Sequence, residues 1–175
     1  MKSLKNWKSI EIVFTKSKLF MPIGSWAIRL WTQKPYSHVA HAVEIRDWGK
    51  RYYQANEGKV NYEYEKFFLK KHKIVKKYII HVPKELDIEV KKACYQEAGN
   101  SYALMQNLGI VILDIVSFFT GNKLKNPWKK GKNCSEIVYE KVLKKLFLEL
   151  NYNPDTIKPH HIEDILIKKG YKNEL

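Results

Sequence analysis

The spacing of apolar residues changes period midway along the chain. In the first half they fall in short runs suited to strands. Ile10–Phe14 is the first such run, and Ser37–Ile45 is the first long one. Within Ser37–Ile45, His38, Ala40, Ala42 and Glu44 share one face, while Val39, His41, Val43 and Ile45 share the other. The polar turn Asp47-Trp48-Gly49-Lys50 leads into Arg51–Ala55, which is a hairpin signal. Lys73–Val82 is rich in Ile, Val and Tyr, ends at Pro83, and reads as a further strand. Between the first two strands, Ser25–Thr32 reads as a helical turn or two.

In the second half the period is helical. Leu86, Val90, Ala93, Cys94 and Glu97 fall on helical spacing, with Gly99 placed to stop the helix. A second helix is predicted from Tyr102 to Phe119, stopping at Gly121, and the basic loop Lys123–Lys132 follows it. A third helix starts at Cys134 or one residue before, with Ile137, Val138, Val142, Leu146 and Phe147 recurring on one face. The last, His160–Lys169, opens after Pro159 and closes at Gly170. Strands first and helices afterwards predict an α+β fold, an antiparallel sheet with helices packed mainly on one face. With no internal repeat and no dividing linker, residues 1–175 read as a single domain.

Composition narrows the functional classes. A chain of 175 residues with 45% hydrophobic residues can bury one sizeable core. Two cysteines cannot build a disulfide scaffold or a four-thiolate zinc site. Met1–Phe14 lacks the unbroken apolar core of a secretory signal. The most apolar stretch, Leu104–Phe119, is interrupted by Gln106, Asn107 and Asp114 and falls short of the ~20 apolar residues a membrane span needs. The expectation is a soluble protein, cytoplasmic at synthesis and compatible with a virion. Lys plus Arg number 32 against 18 acidic residues, a formal charge of +14, which favours anionic partners such as wall polymers or lipid surfaces. Only three of the 32 are Arg, the residue of bidentate base readout, so no sequence-specific nucleic-acid binding is expected. Lys70, Lys71, Lys73, Lys76 and Lys77, interleaved with Phe67, Phe68 and Tyr78, could track a nucleic-acid backbone, but a solvated strand-and-loop surface accounts for them more simply. Neighbouring His160 and His161 diverge by about 100° on a helix and, with Glu163, do not make a zinc site. No phosphate-binding glycine pattern is present, and no cofactor is expected.

Three residues carry candidate chemistry. Cys134 lies in Lys-Asn-Cys-Ser-Glu-Ile-Val, where a basic loop with Lys129, Lys130 and Lys132 gives way to an amphipathic helix. A thiol there faces unpaired amides and the positive end of the helix dipole, which stabilise the thiolate. A small buried packing residue would leave the same local sequence. His38 lies near the start of the long strand beside small alanines, with room for its ring to meet a helix terminus packed across it, although a lone histidine also serves as a backbone-bonded core residue. His41, on the other face, is the poorer candidate. Gln54, on the partner strand, could accept a hydrogen bond from the imidazole and fix its tautomer; otherwise it is a solvated strand residue. Cys94 reads as a packing residue of its helix.

The run Pro35-Tyr36-Ser37-His38-Val39, the pattern Tyr53-Gln54-Ala55 with Gly58-Lys59-Val60, Gly99-x-x-Tyr102, and Asn133-Cys134-Ser135-Glu136 together resemble the circularly permuted branch of the NlpC-type, papain-like thiol hydrolases. In the unpermuted family the Gly-x-x-Tyr and Cys-Ser segments come first; here the His strand leads and the Cys helix trails. Thr156-Ile157-Lys158-Pro159-His160-His161-Ile162 is similar to that branch's closing helix, so the resemblance spans about residues 10 to 170. It implies Cys134 as nucleophile, His38 as general base and Gln54 as the orienting third residue, an amide where this family often has an acid or a His. It also makes Tyr102 a groove residue, which a buried helix-start tyrosine would equally explain, and Ser37 and Ser135 substrate contacts. The implied activity is hydrolysis of an amide or peptide bond, cell-wall peptide included, through an acyl-thioester. The same residues would serve an acyltransferase or a lipid or thioester hydrolase. A non-catalytic basic binding or virion component retaining the fold is the reading from a different class.

Overall fold

The computed structural model describes residues 6–18, 29–30, 32–56, 59–100, 116–117, 120–121 and 133–175. Strands β1 (Trp7–Ser17), β2 (His38–Ile45), β3 (Gly49–Asn56), β4 (Lys59–Tyr64) and β5 (His72–Pro83) form one antiparallel sheet in the order β4-β3-β2-β1-β5. Helix α1 (Glu65–Lys71) connects β4 to β5, and α2 (Lys84–Glu97) follows β5 directly. Helix α3 begins with Cys134–Val138, loosens into a π-helical turn at Tyr139–Leu143 and ends with the α-turn Lys144–Leu146. A 3-10 turn (Pro154–Thr156) precedes α4 (Pro159–Lys168). The described residues thus form an α+β structure with a five-stranded antiparallel sheet and four helices.

Alternation in the strands decides what packs where. Ile10, Ile12 and Phe14 of β1, Val39 and Val43 of β2, and Tyr53 of β3 bury one face of the sheet against Val90 and Cys94 of α2, Ile137 and Val138 of α3, and Ile162 and Leu166 of α4. Each such side chain removed from water contributes about 1.5–3 kcal/mol, so this layer carries most of the hydrophobic stabilisation. The other face holds a smaller cluster, Val13, Ala40, Ala42 and Tyr52, capped by Phe68 of α1. Among the described residues, three helices lie on one face and one on the other. The β2–β3 hairpin turns through Asp47 and Gly49 at φ of 66° and 67°, a left-handed bend that glycine adopts without strain.

Several expectations are corrected. Residues 59–71 are strand β4 and helix α1, which the apolar pattern does not predict; of the expected strand-and-loop surface, Phe67–Lys71 lies in that helix, and Phe68 is fully buried with its ring stacked on Tyr52 at 3.9 Å. Neither element announces itself: β4 has one fully buried apolar side chain, Val60, and α1 spans only seven residues, too few for a helical period to emerge. The first strand extends beyond Ile10–Phe14 in both directions, because its polar ends Trp7–Ser9 and Thr15–Ser17 still pair with β5. Tyr52 and Phe68 pack against Ala40 and Ala42 of β2, while His38, at the end of the same face, meets the start of helix α3 as expected. Pro159 is the first residue of α4 and does not precede it, since its fixed φ suits that position. The expected helix from Tyr102 to Phe119, the helical turn at Ser25–Thr32 and the loop Lys123–Lys132 fall wholly or mostly outside the described residues. Among the described residues, no helix is long and apolar enough to cross a membrane.

Candidate active site

Cys134 is the first residue of α3, and the sequence around it fixes that first turn. Asn133 is extended (φ −88°, ψ 167°), and its Oδ1 accepts the backbone N–H of Glu136 at 2.8 Å. The Glu136 carboxylate in return accepts the Asn133 N–H at 3.3 Å, completing a reciprocal capping box. The Asn-x-x-Glu spacing was available in the sequence as a sharper marker of the helix start than apolar periodicity. Asn133, Cys134, Ser135 and Glu136 are all buried, so the thiol lies against the amide end of the helix with little water around it.

His38 is the first residue of β2, and Gln54 sits near the far end of β3. The β2–β3 ladder pairs His41 with Tyr53. One step further Gln54 falls opposite Ala40, whose small side chain lets the amide reach diagonally to His38. His38 Nε2 donates to Gln54 Oε1 at 2.8 Å. The Gln54 amide nitrogen in turn donates to Glu63 Oε2 of β4 at 2.6 Å, and Lys71 Nζ at the end of α1 meets Glu63 Oε1 at 2.9 Å. A polar chain therefore crosses the edge of the sheet from imidazole to amide to carboxylate to ammonium.

The imidazole is also held from its face. His72, the first residue of β5, stacks on His38 with centroids 5.1 Å apart and planes 19° from parallel. Phe68 also stacks on His72, at 4.7 Å, and Tyr52 on Phe68. His72 Nδ1 lies 3.4 Å from the Thr15 hydroxyl. Burial, with the charges of His38 and Lys71, pushes His72 down to about 3, so it is a neutral ring at physiological pH.

The described residues bring Cys134, His38 and Gln54 together. Burial by itself would push the Cys134 thiol up. The His38 imidazole beside and hydrogen-bonded to it overrides that, helped by the Val39 backbone N–H and the Ser135 hydroxyl, and the thiol is held below its ordinary value. Ser135 Oγ lies 3.9 Å from the sulfur. Conversely, burial disfavours the charged imidazole, but Cys134, Gln54 and the more distant Glu63 carboxylate raise His38 above the usual histidine value. Opposite shifts on two groups in contact favour the thiolate and the imidazolium together, with Nε2 engaged by Gln54 and Nδ1 left for the sulfur.

The other residues named from the sequence are placed as follows. Ser37 is buried beside His38, and its N–H donates to Thr15 O at 3.1 Å. Ser135 is buried with its hydroxyl against the sulfur. Tyr102 lies outside the described residues. His41 is buried on the helix-covered face, pushed down to about 4 by burial, and its Nδ1 is 3.3 Å from Glu11 O. Cys94 is buried in α2, and burial pushes its thiol up. Glu163 is a structural anchor: fully buried, it accepts the Tyr36 hydroxyl at 2.5 Å, the Tyr78 hydroxyl at 2.9 Å and the ammonium groups of Lys76 and Lys34. It ties α4 to β5 and to the segment entering His38.

Glu63 and His72 were missed from the sequence. Glu63 belongs to the unforeseen strand β4, and His72 stands one residue before the expected start of its strand. No family model matches this sequence, and no curated protein is significantly similar to it.

Proposed function

We propose that this chain is a cysteine hydrolase of the circularly permuted papain-like type, cleaving an amide or peptide bond through an acyl-thioester. The observation that carries the proposal is the meeting of Cys134 and His38, each shifted in the direction of its charged form, with the imidazole oriented by Gln54. A thiolate at a helix start beside an imidazole and an amide is the arrangement that nucleophilic thiol chemistry needs.

The chemistry follows from those positions. The Cys134 thiolate attacks the substrate carbonyl, and the Cys134 backbone N–H, which helix geometry leaves without an intrahelical partner, donates to the developing oxyanion. The His38 imidazolium protonates the leaving amine from Nδ1, giving the acyl-enzyme. Neutral His38 then takes a proton from water, which attacks the thioester, and the thiolate leaves to restore the pair. Gln54 keeps the ring plane and the Nε2 proton fixed throughout. The +14 charge favours an acidic substrate, such as a wall polymer peptide, or an anionic lipid surface on which a substrate is held.

The test is alkylation of Cys134 by iodoacetamide across pH, in the native protein and in His38→Ala. The expected profile shows reactive thiolate well below pH ~8.5, and His38→Ala returns it toward an ordinary thiol. A native profile already centred near ~8.5 and indifferent to His38→Ala overturns the proposal. Turnover of muropeptides set beside acyl thioesters, with Cys134→Ala as control, assigns the bond; His38→Ala is expected to lose about 10²–10⁴-fold on the true substrate.

A further inference from the structure

We infer that Glu63 is a positioning residue for His38, acting through Gln54: its carboxylate fixes which end of the Gln54 amide meets the imidazole. The inference rests on the cysteine-hydrolase reading and extends it to a residue outside the three-residue site.

A glutamine amide is nearly symmetric in shape but not in hydrogen bonding, since one end accepts and the other donates. Packing alone does not choose between the two. An ionised carboxylate only accepts, so Glu63 Oε2 at 2.6 Å takes the NH2 end and leaves Oε1 for His38 at 2.8 Å. Facing an oxygen, His38 Nε2 must carry a proton. In the neutral ring Nδ1 is then the bare nitrogen, turned toward the thiol whose proton it must take. With the amide reversed, two donors would confront each other whenever the imidazole is charged. The neutral ring would then be driven to the Nδ1–H form, which cannot act as base toward Cys134.

The carboxylate is itself held. Lys71 Nζ bonds its second oxygen at 2.9 Å, and the Glu63 side chain is only 11% exposed, so its charge is poorly screened at the imidazole. The groups around His38 come from every neighbouring element: Cys134 of α3, Gln54 of β3, Glu63 of β4, uncharged Thr15 of β1, His72 of β5, and Lys71 of α1, which is paired to Glu63. The histidine stacked on His38, His72, is already neutral above about pH 3, so a pH profile between 5 and 9 reads the Cys134–His38 pair. Glu63 supplies the negative charge that Gln54, as an amide, lacks.

The experiment uses the full chain and two readouts. In Cys134→Ala, long-range proton–nitrogen NMR of the histidine rings at about pH 8 is expected to show His38 in the Nε2–H form, with Glu63→Leu raising the Nδ1–H population at least about fivefold. In the protein with its thiol, iodoacetamide alkylation at about pH 6 is expected to fall about tenfold in Glu63→Gln, one pKa unit's worth. Glu63→Asp, which keeps charge and acceptor, should restore most of the rate. Unchanged tautomer and unchanged alkylation in the Glu63 variants overturn the inference while leaving the hydrolase reading intact. Alkylation that ignores His38→Ala overturns the hydrolase reading, and the inference with it. Should Glu63→Leu and Glu63→Gln fail to fold, the tautomer in Cys134→Ala still decides: Nε2–H supports the role, Nδ1–H overturns it.

Discussion

The two cysteines of this chain are both buried, yet their surroundings push them in opposite directions. Cys94 lies among apolar side chains of α2, where desolvation raises its thiol and the Lys141 charge offsets this only partly. Cys134 has an imidazole, a backbone N–H and a hydroxyl turned on its sulfur. At about pH 6.5, brief alkylation followed by peptide mass mapping should therefore label Cys134 alone, with Cys94 modified only after unfolding. Equal labelling would mean that access, not thiolate character, governs both. The His72 ring makes a second residue-scale difference. Its stacking on His38 is worth about 0.5–1.5 kcal/mol and needs a ring, not a titrating group. Hence His72→Phe should keep Cys134 alkylation within about threefold of the native rate, whereas His72→Ala should lower it further by freeing the imidazole.

At the scale of elements, the start of α3 turns a cysteine into a candidate nucleophile. Asn133 accepts from the third residue of the helix while Glu136 reaches back, so the first turn and the Cys134 N–H are held together. Asn133→Ala should cost about 1 kcal/mol in a urea titration and also slow alkylation, while Asn133→Asp, which caps equally well, should spare both. Stability lost with alkylation unchanged would detach the cap from the site. The same element shows why part of the site was legible in the sequence. Cys134 and His38 are rare residue types at the start of strongly patterned segments, and alternation in a recognisable hairpin carried Gln54 to the same side. Glu63 and His72 were not legible, because nothing in the local pattern marks β4 as a strand, and His72 precedes the apolar run that marks β5. The π-helical turn at Tyr139–Leu143 was equally silent: Val138, Val142 and Leu143 stay buried through it, so the apolar pattern reads as an unbroken helix.

For the whole molecule, the buried titratable groups make the fold acid-sensitive in two steps. His41 and His72 are buried and held at about 4 and 3. The unfolded chain takes up these two protons near pH 6.5 and the native state does not, so stability falls as pH drops through 6.5 toward 4 and 3, on the order of 3 kcal/mol or more for each. His38 has the opposite sign: its raised value makes its contribution complete at low pH and lost as pH rises through the folded value, a partial offset. Glu163 adds the second step. Burial opposes its charge, but Lys76, Tyr36 and Tyr78 together hold its carboxyl down to about 2. Its stabilisation is present at neutral pH and disappears as pH falls from about 4.5 to 2, again about 3 kcal/mol. A chain already at +14 gains further positive charge along the way, which adds self-repulsion to both steps. The urea midpoint should therefore begin to fall just below pH 6.5, earlier than carboxylates alone would allow. His41→Leu should flatten the first step, and Glu163→Gln should start lower at pH 7 and lose the second. A native midpoint constant down to pH 4.5 would show that these histidines are not held neutral. Because Glu163 joins α4 to Tyr36, two residues before His38, acid that releases this anchor should also abolish the fast alkylation of Cys134 before the sheet unfolds.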